Sequence, residues 1–142
     1  MLEISEILAQ IVQIHDIREF DPGLTPKQIE SDMKDMWFQL TQEAHEFYQH
    51  CDGLESEGFY VLSLAAATDT YLEWCEDWGR ELDLLPVAVT DDPYDYYAIQ
   101  VTEVRHAESP VYRVLSRVDP KSAEVAYQNL RVMLMYHFPL DM

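Results

Sequence analysis

The period of the hydrophobic positions changes several times along the chain, and each change marks an element. Ile4, Ile7, Leu8, Ile11 and Ile14 recur at spacings of three and four with Glu3, Glu6, Gln10 and Gln13 between them, which predicts an amphipathic helix within residues 1 to 20. Asp21-Pro22-Gly23 breaks it. Thr25 then reads as an N-cap with Pro26 at the first helical position, and Ile29, Met33, Met36 and Trp37 form the stripe of a second helix. Thr41 caps a third helix, over residues 41 to 51, whose Ala44, Phe47, Tyr48 and Cys51 share one face. Asp52-Gly53 offers the positive-φ residue that stops a helix.

A short acidic connector follows, and after Gly58 the period becomes that of a strand. Phe59, Val61 and Ser63 lie on one side, Tyr60, Leu62 and Leu64 on the other. Ser63 or Thr68 caps a fourth helix that turns Ala67, Tyr71, Trp74, Cys75, Trp78 and Leu82 inward, with Gly79 ending its regular part. Residues 84 to 89 and 96 to 101 read as a hairpin around Asp91-Asp92-Pro93. Pro110 opens a further strand, residues 111 to 118, in which Tyr112, Val114 and Val118 alternate with Arg113, Leu115 and Arg117. Asp119-Pro120 closes it and starts the last helix, which carries Ala126, Leu130, Met133, Leu134 and His137 but also Val125, Val132, Met135 and Tyr136. A helix apolar nearly all round is buried on several sides or joins two chains. Helices segregated around sequential strands predict an α+β fold, with a mainly antiparallel sheet of about four or more strands packed with N-terminal, middle and C-terminal helices.

The length, 142 residues at 48% hydrophobic content, suits one domain with one core. Charge narrows the partners. Twenty-seven Asp and Glu oppose nine Lys and Arg, for a net charge of -18. Such a surface repels phosphate backbones and anionic membrane faces, which argues against nucleic-acid or lipid binding and favours a basic protein partner. The imbalance is uneven: residues 1 to 64 hold 13 acids and three bases, residues 65 to 103 ten acids and one base, residues 104 to 142 four acids and five bases. Cys51 and Cys75 sit on apolar helix faces outside any paired-cysteine spacing, as free thiols do in a reducing cytoplasm. Glu3 and Glu6 stand where a secretory signal needs positive charge, and no stretch approaches the roughly 18 apolar residues of a membrane span. A cytoplasmic location is expected.

Local signatures of catalysis are missing. His45-Glu46 with His50 resembles a zinc-protease helix, but that motif needs its histidines at i and i+4. Five apart, they point about 140° from each other on a helix of 3.6 residues per turn. Cys51 beside His50 is a sequence neighbour that points elsewhere, no serine lies in a G-x-S-x-G elbow, and four scattered glycines make no phosphate-cradling loop. Neither a metal nor a cofactor is expected. The densest recognition chemistry is the turn of Asp91, Asp92, Tyr94 and Asp95, where tyrosine gives contact area at low entropy cost and aspartate meets Lys or Arg. Glu73, Glu76 and Asp77, beside Trp74 and Trp78, are the second candidate set.

The run from Leu40 to Leu64 is similar to the pattern of the SUKH superfamily, small α+β domains that include bacterial toxin-immunity proteins and fungal cell-wall regulators. Leu40, Phe47, Tyr48, Gly53, Gly58, Phe59, Tyr60, Ser63 and Leu64 fit its order. Thr41 stands where proline is usual, and Asp52-Gly53-Leu54 where Asn-Gly-Gly is common. The later helix, LLPVAV, DYYAIQV, PVYRVL and final helix also follow in order, so the likeness runs from about Leu24 onward. It implies a non-enzymatic immunity-type module that binds and neutralises a basic partner, such as a nuclease toxin, through an acidic surface. The alternative is a scaffold protein without a toxin partner, self-associating as a homodimer through the C-terminal helix. A hydrolase built from dispersed carboxylates is a third reading and requires a deep acidic pocket.

Overall fold

Side-chain caps start three of the helices where the sequence places them. The computed structural model describes residues 2–115 and 118–140. Its elements are α1 (Ile4–Ile14), β1 (Glu19–Pro22), α2 (Pro26–Met33), α3 (Gln42–His50), β2 (Cys51–Ser56), β3 (Phe59–Val61), α4 (Leu64–Trp78), β4 (Leu84–Thr90), β5 (Asp95–Gln100), β6 (Val111–Leu115), a 3₁₀ turn (Pro120–Ser122), β7 (Glu124–Tyr127) and α5 (Leu130–His137). Thr25 Oγ1 accepts from the Gln28 N–H while Gln28 Oε1 accepts from the Thr25 N–H, a reciprocal cap ahead of Pro26. Thr41 Oγ1 accepts from Ala44 and Ser63 Oγ from Ala66. Gly79, at φ 63°, ends α4 in the left-handed conformation, and its N–H donates back to the last turn.

Five expectations shift, three of them where a pairing strand overrides a local signal. The first helix stops at Ile14, and residues 19–22 become an edge strand because β2 supplies their pairing: Glu19 lies opposite Glu55 and Phe20 opposite Leu54. The second helix ends at Met33, so Met36 and Trp37 lie beyond it. The third passes from His50 straight into β2, so the acidic connector is a strand and Gly53 lies inside it rather than ending a helix. Gly53, at φ 101°, is needed there because a Cβ would come within 2.9 Å of the Val61 carbonyl oxygen on β3. The strand after Gly58 ends at Val61, and Ser63 turns to cap α4. Asp119-Pro120 opens only a 3₁₀ turn, held by Asp119 Oδ1 accepting from Lys121 N–H. Val125 and Ala126 then run in β7, and the last helix begins after Asn129, whose side chain accepts from Val132 N–H. Arg117, in the alternation assigned to the 111–118 strand, lies outside the described residues.

The seven strands form one antiparallel sheet in sequence order, β1 through β7. Tyr96 and Tyr97 are successive on β5 and therefore point to opposite faces. Trp74 of α4 meets Tyr96 edge-on at 5.2 Å, whereas His137 of α5 lies 5.6 Å from Tyr97 and stacks on Phe59 at 3.9 Å. α4 and α5 thus cover opposite faces. α1 packs against both α3 and α5, and α2 touches α3 and α4. One apolar core runs through these layers, from Ile4, Ile7, Leu8 and Ile11 through Phe47, Leu85 and Ile99 to Met133 and Leu134. The stripe of the first helix is buried as its period requires, except for Ile14.

α5 is anchored by a carboxylate from a distant element. Glu43 on α3, 5% exposed, accepts from the backbone N–H groups of Leu130 (2.8 Å) and Arg131 (3.3 Å) and from Arg131 Nε (2.8 Å). Those N–H groups belong to the first turn of α5, which has no helical partner for them. Burial nonetheless pushes the Glu43 carboxyl above its ordinary value, against the lowering effect of these donors.

Candidate partner-binding face

The β4–β5 hairpin presents Asp91, Asp92 and Tyr94 to solvent. Asp92 Oδ1 accepts from Tyr94 N–H at 3.0 Å, a local turn that fixes the tip. Asp91 Oδ1 accepts from the Tyr60 hydroxyl at 2.9 Å, and this bond raises the Tyr60 phenol above its ordinary value. Asp95 does not share their exposure. At 8% exposed it receives Arg113 Nε and a terminal guanidinium nitrogen, each at 3.0 Å, in a two-point ion pair. Its cross-strand partner is Leu115, and it shares a face with Tyr97, away from α4. Its charge is already answered within the chain.

Glu73, Glu76 and Asp77 are exposed on α4, while Trp74 between them turns inward to Tyr96. Glu76 borders a cavity of about 360 Å³ whose lining includes Trp37, Tyr71, Asp35 and Glu81. The Tyr71 hydroxyl accepts from Trp37 Nε1 at 2.7 Å and donates to the Leu82 carbonyl at 2.6 Å, so those two rings are fixed. Arg80, also at this cavity, is held by Asp119 at 2.7 Å.

A third acidic group arises from strand pairing. Glu19, Glu55, Tyr60, Val89, Tyr96 and Val114 are successive cross-strand partners, so they line the face that α4 covers in part. Glu19 is raised above its ordinary value, first by the charge of Asp21, then by burial and by Glu55. Asp52 is also raised, chiefly by burial, with Asp32 and Asp21 adding to it against the Leu64 N–H it accepts. Glu19 and Glu55 carry no local signal in the sequence; only the β1–β2 register brings the two carboxylates opposite each other. Among the described residues, Glu19, Asp21, Glu55, Asp91, Glu73, Glu76 and Asp77 make no ion pair; the four that exist use Arg80, Arg113 and Arg131.

Among the described residues no group of three or more His, Cys, Asp or Glu could hold a metal ion. Cys51 is buried, its thiol donates to the Gly53 carbonyl, and burial pushes it up to about 12. No helix among the described residues is long and apolar enough to cross a membrane. No protein-family model matches the chain, and no curated protein sequence matches it significantly.

Proposed function

We propose that this chain is a non-enzymatic, SUKH-like binding module of the immunity type, which docks onto a basic partner protein through the α4 side of its sheet. One observation carries the reading: Glu19, Asp21 and Glu55 crowd like charges on that side, together with Asp91 and the α4 acids, and among the described residues none of them makes an ion pair, the charge of Arg18 reaching only as far as Tyr60 between them. Like charges placed opposite each other on paired strands weaken a sheet. A cationic partner relieves that repulsion, and opposite fields speed encounter. A nuclease toxin, whose substrate cleft is basic, suits such a face. The partner-binding set is then Asp91, Asp92, Tyr94, Glu73, Glu76 and Asp77, extended by Glu19 and Glu55, with Asp95 serving the fold. A reducing cytoplasm fits the free thiols. The likeness in the Leu40 to Leu64 run and an antiparallel sheet flanked by helices agree with this assignment.

The test is an association rate measured against basic proteins of the nuclease-toxin type as ionic strength rises. A steep fall is expected, and the triple variant Glu19→Gln, Glu55→Gln, Asp91→Asn lowers the rate about tenfold or more at low salt. A rate unaffected by salt and by the triple variant refutes the assignment.

One observation favours self-association instead. β7 is an unpaired sheet edge with Val125 60% exposed, and Tyr136 on α5, 69% exposed, lies 5.3 Å from Tyr127 of that strand. Sedimentation at micromolar concentration decides: a strict monomer removes this alternative.

A further inference from the structure

A cavity of about 500 Å³ lies between α2, the segment after it and α3, sharing Met36 with the cavity that Glu76 borders. Its apolar lining includes Ile29, Met33, Met36 and Phe38. Two of the four are methionines, whose flexible thioethers adapt to a guest. The volume falls in the range of small-molecule sites.

The polar lining is unusual for this molecule. Lys34 and Arg105 both reach the cavity, and neither makes an ion pair among the described residues. His45 joins them, and Glu30 is the single carboxylate of the lining. A chain of net charge -18 with only nine Lys and Arg therefore commits two cations, neither ion-paired among the described residues, and a histidine to the mixed polar and apolar lining of one cavity. The local excess is positive where the surroundings are negative. An organic cation is drawn to the rest of the surface, and only an anion gains here.

We infer that this cavity binds a small amphipathic anion, a free carboxylate on an apolar body, with the apolar part among Ile29, Met33, Met36 and Phe38 and the carboxylate at Arg105, Lys34 and His45. His45 supports the assignment, since burial first and the Arg105 guanidinium second hold its imidazole below the ordinary value, so it stands ready to gain charge beside an anion. The groups acting on it are Glu46 and Gln49 on its own helix and Arg105 from the 101–110 segment, and Lys34 and Glu30 from the α2 side line the same cavity.

Decanoate is the probe, followed by NMR of the full chain with methyl-labelled methionine and by calorimetry. A saturable shift of Met33, which lines this cavity and not the one bordered by Glu76, is expected, together with an upward move of the His45 titration. Arg105→Gln, at an exposed position, weakens decanoate roughly tenfold, because a charge-assisted hydrogen bond is lost. Arg18→Gln removes the same charge elsewhere and leaves binding unchanged. Decyltrimethylammonium binding as well as decanoate overturns the inference, as does Arg105→Gln with unaltered affinity. Binding of an apolar peptide with a free C-terminal carboxylate but not of decanoate assigns the cavity to a polypeptide end and also overturns it. None of these results depends on the acidic face.

Discussion

Removing the Glu43 carboxylate tests how α5 is held to the domain. Its three hydrogen bonds tie α3 to the first turn of a helix 87 residues away in sequence, and its side chain is only 4% exposed. Breaking a buried ion pair from one side costs about 3–5 kcal/mol, because the remaining charge is stranded. Here the stranded Arg131 is 20% exposed and keeps Glu108 at 3.1 Å, which places the loss at the lower end. Glu43→Ala is therefore expected to cost ~3 kcal/mol, while Glu43→Gln, which retains an acceptor for the Leu130 N–H, costs ~1–2 kcal/mol. At this chain length the Ala loss corresponds to roughly 10 °C in Tm. Urea denaturation measures it, with thermal melting as a check.

The pH dependence separates burial from hydrogen bonding at the same site. A carboxyl whose folded value lies above 4.5 contributes stability that is fully present below 4.5 and is lost as pH rises through the folded value. The stability gap between wild type and Glu43→Gln should then narrow as pH rises from 4.5 toward neutrality. A gap that widens over that range, or an Ala variant that loses less than ~1 kcal/mol, refutes the reasoning, since the N–H donors would then outweigh burial or the anchor would carry little.

Two further outcomes follow from the fold. Gly53→Ala puts a Cβ at φ 101° and 2.9 Å from the Val61 carbonyl oxygen, so a loss of ~2 kcal/mol or more is expected in urea unfolding, and a neutral variant removes the close approach as the reason for glycine there. His137, half-buried and stacked on Phe59, is held below 6.5 by burial, so its contribution to stability is present above 6.5 and is lost as pH falls through the folded value. Unfolding followed between pH 7.5 and 5 should show that decline, and His137→Phe should flatten it; equal slopes in both proteins exclude His137 as the source.

Local chemistry wrote the starts of the second, third and fourth helices, the glycine stop of the fourth, the β4–β5 hairpin and the α+β class into the sequence, while the last helix starts after Asn129 and not at Asp119-Pro120. Thr25, Thr41 and Ser63 cap through atoms three residues away, and a period of 3.6 or 2 needs no distant partner to be legible. Residues 19–22 and 124–127 are strands only because β2 and β6 lie beside them, and four residues carry too little periodicity to announce that. The same limit applies to the candidate site. Exposed aspartates at the 91–92 tip were visible as composition, but whether a carboxylate is free or paired depends on residues far along the chain: Asp95 meets Arg113 18 positions away, and Glu19 meets Glu55 across a register. Sequence fixes which charges the chain owns and how its segments alternate; the energy of each charge depends on what the fold sets within a few ångströms of it, which only the assembled sheet and its helices decide.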